Sequence, residues 1–242
     1  MAVSPALDTS HVAAHVAAVR ARIAEACARA GRDPSDVTLV AVSKGHPIEL
    51  VRAAVDAGCL DLGENRAQEL LPKAVASAAL VPEPRWHFIG HLQRNKVRDV
   101  LPHIASLHSL DSAGLLDEIG RRGREGGRPH RDGGAATRLA CYLEINVAGE
   151  AQKQGITPNA LPELLRAAQA SEVVQVLGLM TVAPHVEDPD AVRPVFRALR
   201  ELAQAHGLAG LSMGMTEDYS VAIEEGATVV RVGRAIFGAR PA

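Results

Sequence analysis

The sequence predicts an α/β protein of one domain, a closed (β/α)8 TIM barrel with an extra N-terminal helix, and three observations carry this. Eight short apolar stretches alternate with stretches of helical periodicity, and such alternation means parallel strands joined by right-handed crossovers. The length of 242 residues suits eight such units. No glycine-rich dinucleotide fingerprint follows the first strand, which sets aside the open doubly wound sheet. Residues 1–10 read as a flexible arm and residues 11–242 as the barrel domain.

The first strand is VTLVAV over 37–42, where five of six residues are apolar and four are β-branched. Before it, Val12, Val16, Val19, Ile23 and Cys27 recur every three or four positions. That spacing predicts an amphipathic helix over 11–30, with Ser10 as N-cap and Gly31 closing it. Pro47 then opens a helix over 47–57. The pattern repeats with strands over 59–63, 86–90, 106–110, 139–147, 174–182, 211–213 and 228–232. The matching helices run over 66–79, 95–101, 113–124, 158–170, 189–206, 217–225 and 235–237. Residues 123–136 are rich in Gly, Arg and Pro without apolar periodicity and read as a surface loop.

Composition excludes several classes of function. A net charge of −2 and 2% aromatics argue against a nucleic-acid binder, which needs a basic face or stacking platforms. No apolar run approaches the roughly 18 residues that span a membrane, and the N-terminus lacks the pattern of a secretory signal. Cys27, Cys59 and Cys141 are odd in number and have no metal-type spacing, so they read as buried free thiols in a reducing compartment. The expected location is the cytoplasm. His87 and His91 stand four apart, but on a strand that separates them by about 13 Å, too far to share one metal ion.

Chemistry is expected where the strands end. The residues there are Ser43 and Lys44; Gly63, Glu64 and Asn65; Gly90, His91 and Gln93; Asp111; Asn146; Met180 and Thr181; Ser212 to Met215; Gly233 and Arg234. Many are polar or glycine, whereas the strand interiors are not. Lys44 stands out because the chain has 26 Lys+Arg but only four lysines, Lys44, Lys73, Lys96 and Lys153. Forming an imine is a role arginine cannot fill, since it needs a deprotonatable primary amine. The loops after strands seven and eight, SMGMTED and VGRAIFG, carry small residues where a backbone could approach a phosphate. Arg231 lies within the valine-rich last strand, and a buried guanidinium needs an acceptor: a ligand atom, or a carboxylate such as Glu64 or Glu144.

Seven motifs, in order, then identify a resemblance: LVAVSK (39–44), LGENRAQE (62–69), WHFIGHLQRNK (86–96), EAQKQG (150–155), GLMTV (178–182), LSMGM (211–215) and VRVGRAIFG (230–238). Over roughly residues 11–240 the chain resembles the YggS, or PROSC, family of pyridoxal 5'-phosphate (PLP) homeostasis proteins. The resemblance implies a barrel related to the alanine racemase N-terminal domain, with PLP held as a Schiff base on Lys44. It implies Asn65 beside the cofactor, Met180 lining the cavity, and Ser212, Gly214 and Gly233 at the phosphate, with Met213 in the same stretch. It places Arg231 at the pyridine nitrogen. Gly45 and His46 depart from a more usual Thr–Lys pair. Arg234 stands where a Ser or Thr often helps hold the phosphate, so its guanidinium either contacts phosphate or points outward.

The chemistry that follows is that of a carrier. Arginine donates but is not deprotonated, so the ring nitrogen stays unprotonated and the ring is a weak electron sink. Alanine racemase adds a tyrosine from a C-terminal domain. With Ala242 soon after the eighth strand no such domain is expected, and neither Tyr142 nor Tyr219 is placed to substitute. The expectation is a PLP-binding protein of intracellular PLP homeostasis, without efficient catalysis. Its partners would be PLP and PLP-requiring apoenzymes, and its state monomer or weak homodimer. The alternatives are a weakly active racemase-like enzyme, an aldolase using Lys44 directly, and a pure interaction module.

Overall fold

The computed structural model describes residues 8–125, 138–150 and 153–240. Most of the arm over 1–10 and of the loop over 123–136 lies outside the described residues. The strands are β1 (Thr38–Val42), β2 (Asp61–Glu64), β3 (Arg85–Phe88), β4 (Ser106–Leu110), β5 (Leu139–Glu144), β6 (Val174–Met180), β7 (Gly210–Ser212) and β8 (Val229–Val232). They form one closed parallel barrel in sequence order. It closes where β1 meets β8, from Thr38 opposite Val229 to Ala41 opposite Val232.

The helices are α1 (His11–Arg29), α2 (Ile48–Asp56), α3 (Ala67–Ser77), α4 (Val97–Val100), α5 (Ala113–Arg124), α6 (Leu161–Gln169), α7 (Arg193–Ala205), α8 (Tyr219–Glu224) and α9 (Arg234–Phe237). The stripe on α1 is the one its spacing predicts: Val12, Val16, Val19, Ile23 and Cys27 are buried, together with Ala26. That face packs on α2, α8 and α9. Each Val or Ile buried this way favours the fold by roughly 1.5–3 kcal/mol before the cost of ordering the chain.

Alternation along β1 divides the core in two. Ala41 faces the layer between strands and helices. Val40 and Val42 face inward, where they meet Tyr142, Met180 and Val229. The interior is less apolar than the sequence suggests. His87, Ser106, His108 and Ser212 are all buried and hydrogen-bonded to one another inside the barrel. A barrel with so few aromatic residues fills part of its axis with imidazoles instead.

Several details differ from expectation, and three of them have a clear physical reason. Ser10 precedes α1 with helical backbone angles, so its hydroxyl does not cap the helix and donates to Asp8 Oδ1 at 2.6 Å instead. The helix expected over 95–101 is only the single turn α4 between two 3-10 turns, and Pro102 has no N–H to extend it. β5 ends at Glu144 rather than 147. Beyond it the chain pairs with its own return: Asn146 N donates to Ile156 O at 2.9 Å, and Ile156 N to Glu144 O at 2.8 Å.

Candidate functional site

A cavity of about 630 Å³ opens at the C-terminal ends of the strands. Lys44, Asn65, Arg231, Gly233 and Arg234 line it, so five of the residues expected from sequence meet in one space. Glu144, Thr216 and Arg240 line it too.

Lys44 is presented by a tight turn. His46 N donates to Ser43 O at 3.0 Å, and Gly45 takes φ 76°, a value that suits glycine at the third position of such a turn. Arg240 lies over Gly45, so a Cβ there would come within 3.1 Å of Arg240 Cδ. The turn is anchored from beneath. Lys73 is buried on α3, and its Nζ donates to Ser43 O at 2.8 Å and to Glu64 Oε1 at 2.5 Å. Ser43 Oγ donates to the same Glu64 oxygen at 2.7 Å, and Gly45 N to Glu69 Oε2 at 2.5 Å.

The Lys44 amine itself has no hydrogen bond or ion pair among the described residues. Burial, with the Arg240 charge beside it, pulls its pKa below the ordinary lysine value, against the opposing pull of Glu64 and Glu69. The turn therefore presents a primary amine biased toward the neutral, nucleophilic form.

Arg231 is 4% exposed. Its Nη1 donates to Ser212 Oγ at 2.6 Å and its Nη2 to Thr181 O at 2.9 Å. Neither carboxylate suggested from sequence pairs with it: Glu64 is held by Lys73, and Glu144 makes no ion pair among the described residues. Burial pushes the guanidinium down to about 10, with Glu144 and Asp218 acting the other way, so it stays charged at neutral pH. Glu144, at the end of β5, has a buried Oε2 with no partner among the described residues. Burial, then the Asp111 charge, raises its carboxyl to about 7.

The loops after β7 and β8 form the opposite wall. Gly214 has φ 91°, and a Cβ on it would lie 2.6 Å from Ala222 Cβ, so α8 packs where a side chain would be. Its carbonyl accepts from Arg231 N at 2.9 Å, which ties this loop to β8. Gly233 precedes α9, and its N–H reaches Thr216 Oγ1 only at 3.4 Å. Arg234 lies at the start of α9. Its Nη2 donates to Glu217 Oε1 at 2.7 Å, and both side chains are exposed at the cavity mouth.

The remaining expected residues sit behind the wall. Met180 is buried among the inward-facing side chains, and Met213 faces the layer between strands and helices. The Ser212 hydroxyl points into the barrel, where Arg231 and His108 engage it. Asn65 Oδ1 is buried without a partner among the described residues. Tyr142 and Tyr219 do not line the cavity. His91 pairs with Asp111 at 3.1 Å, and among the described residues no group of His, Cys, Asp and Glu is arranged to hold a metal ion. Sequence reasoning singled out neither Thr216 nor Arg240; Thr216 lies inside the SMGMTED stretch, and Arg240 stands two residues beyond the last glycine motif.

Comparison with known proteins adds to this geometry. Residues 14–241 match the profile of the alanine racemase N-terminal domain. A pyridoxal phosphate homeostasis protein of Aquifex aeolicus is 43% identical over 225 residues, covering 90% of this chain and 94% of its own. One from Pseudomonas aeruginosa is 42% identical over 233 residues, covering 96% of each. Among solved structures, PipY of Synechococcus elongatus with PLP bound superposes with a TM-score of 0.79 at 32% identity, over 94% of this chain and 100% of PipY.

Proposed function

The chain belongs to the family of pyridoxal phosphate homeostasis proteins, with the alanine racemase N-terminal domain as its fold, and from that premise we propose that it holds PLP on Lys44 and releases it to acceptors. The observation that carries this is the Lys44 amine: half-buried, unpartnered among the described residues, and facing a cavity shared with Arg231. The donor set fits the cofactor. A neutral primary amine suits its aldehyde, a guanidinium suits its ring nitrogen, and the backbone of Gly214 and Gly233 suits its phosphate. Asn65 Oδ1 adds an unfilled acceptor beside them.

Bound PLP supplies an aldehyde that condenses reversibly with primary amines. The chain's residues do the rest. Lys44 provides the attachment, as a Schiff base. Arg231 donates to the ring nitrogen without giving up a proton, which leaves the ring a poor electron sink and favours holding over turnover. Asn65 borders the cavity and Met180 packs behind its wall, and Gly214 with Gly233 keeps the loops close enough for backbone N–H groups to reach an anion. Ser212 acts through Arg231. With Arg234 paired to Glu217, the phosphate is left to backbone and to Thr216. The acceptors are PLP-requiring apoenzymes. The cytoplasm is the proposed location, which the buried free thiols of Cys27, Cys59 and Cys141 suit.

A second reading, slow racemase-like exchange, draws on Glu144 alone, a buried carboxyl near neutrality in the cavity wall. The two separate cleanly. Apo-protein titrated with PLP is expected to give a yellow band distinct from free PLP, and to restore a PLP-requiring apoenzyme on mixing, with no measurable turnover of amino acids. Failure to take up PLP overturns both readings. Amino-acid turnover that disappears in Glu144→Gln while the yellow band remains moves the protein to the second.

A further inference from the structure

A buried polar column runs from the cavity to the other end of the barrel. Arg231 Nη1 donates to Ser212 Oγ at 2.6 Å. Ser212 Oγ lies 2.8 Å from His108 Nδ1. His108 Nε2 lies 3.0 Å from His87 Nδ1, and Ser106 Oγ bridges the two rings at 2.9 and 2.7 Å. His87 Nε2 lies 2.8 Å from Asp61 Oδ1. Asp61 is the first residue of β2, at the end of the barrel remote from the cavity, and there it accepts from Arg85 at 2.8 and 2.5 Å. Ser106, His108 and Ser212 are almost wholly excluded from solvent.

The direction of every bond in this column follows from its first member. Arginine has donors only, so Ser212 accepts from Arg231. Its own proton then needs an acceptor, and His108 Nδ1 is the one in reach. His108 is neutral, because burial, with His87 and Arg231 facing it, holds it well below the ordinary imidazole value. Its single proton is therefore on Nε2, where it serves Ser106 and His87. Nδ1 of His87 then accepts, and its proton is on Nε2, aimed at Asp61. A cationic His87 would set two N–H groups face to face. Asp61 closes the column as its anion: burial alone would raise its carboxyl, but hydrogen bonds from His87 and Arg85 hold it at about 2. Tyr142, with ring centroid 4.6 Å from that of His108, fixes the plane of the central ring.

We propose that Asp61, at the end of the barrel remote from the cavity, is a positioning residue for Arg231, setting the orientation of its guanidinium in the cavity through a one-way hydrogen-bond chain of Ser212, His108 and His87. A buried guanidinium that forms no ion pair among the described residues is thereby linked to a distant carboxylate. The last link, from Arg231 to a ring nitrogen, rests on the PLP reading; the chain itself does not.

Imidazole nitrogen NMR on the uniformly labelled apo-protein tests the chain directly, with His108→Asn and His87→Asn used to assign the signals. Both rings are expected as neutral Nε2–H tautomers. A proton on His108 Nδ1, or a cationic ring at neutral pH, overturns the proposal. The consequence is read in PLP-loaded protein. Ser212→Ala is expected to shift the absorption band and weaken PLP retention about fivefold, the effect of one net hydrogen bond, with Ser212→Thr restoring both. Asp61→Asn, remote from the cavity, is expected to shift the same band in the same direction. An unshifted band in folded Asp61→Asn, beside a shifted one in Ser212→Ala, shows that the far end plays no part and overturns the proposal. Wild-type protein that takes up no PLP defeats the PLP reading instead, and the tautomers still decide the chain.

Discussion

Two lysines meet the turn after β1, one standing on it and one bonded to it from α3, and their surroundings differ in one respect. Lys73 rises from α3 beneath the turn and meets Glu64 at 2.5 Å. Lys44 stands on the turn itself and meets no carboxylate among the described residues; the charge closest in effect is the cation Arg240. Lys73 is buried and Lys44 half-buried, yet one is an ion-paired side chain that holds backbone in place while the other is biased toward a free amine. Burial alone does not make a lysine reactive. Burial without a counter-ion does, and here the matched pair below keeps the unmatched amine above in position.

Removing each lysine should therefore have a different kind of effect. Lys44→Ala is expected to abolish covalent PLP retention, measured by the yellow band after gel filtration, while leaving the melting temperature near wild type. Lys73→Met is expected to cost about 3–5 kcal/mol in denaturant unfolding, because it leaves Glu64 buried without its partner. The double variant Lys73→Met/Glu64→Gln should recover most of that loss. Equal stability of Lys44→Ala and Lys73→Met would break the comparison.

The turn between the two sites gives a smaller effect. Gly45→Ala forces a side chain into left-handed backbone, and about 1–2 kcal/mol of destabilisation is expected, read as a lower unfolding midpoint. Arg240→Gln sharpens the electrostatic half of the contrast. Burial, and after it Arg240, lowers the Lys44 pKa, so removing Arg240 raises it. At a given pH below that pKa less free amine is present, and the pH at which apo-protein takes up PLP should move upward. Burial acts still, so the midpoint should remain below the ordinary lysine value of 10.5. A downward move would contradict the assigned role of Arg240.

Local features of the site were legible in the sequence. Lys44 ends a β-branched strand, Arg231 interrupts a valine run, and the stripe on α1 repeats at helical spacing; each is a pattern within about twenty residues. What stayed hidden depends on which strands become neighbours. Nothing near His87 in the sequence announces Asp61 or His108, and nothing near Ser43 announces Lys73. Arg231 needed an acceptor, and that much follows from chemistry. That the acceptors would be Ser212 and the Thr181 carbonyl, rather than Glu64 or Glu144, follows only from the order of strands around the closed barrel. The end of β5 was overextended because Ile145 and Val147 read as strand, while the bonds between Glu144 and Ile156 that terminate it come from across a loop.

The contrast between the two lysines makes one measurement decisive. PLP-loaded protein is reduced with borohydride, digested, and its peptides mapped by mass spectrometry. The cofactor's mass is expected on the peptide containing Lys44 and absent from the peptide containing Lys73. Cofactor mass on Lys73, or on neither lysine in a protein that stays yellow, would contradict the assignment of Lys44 as the residue that holds PLP.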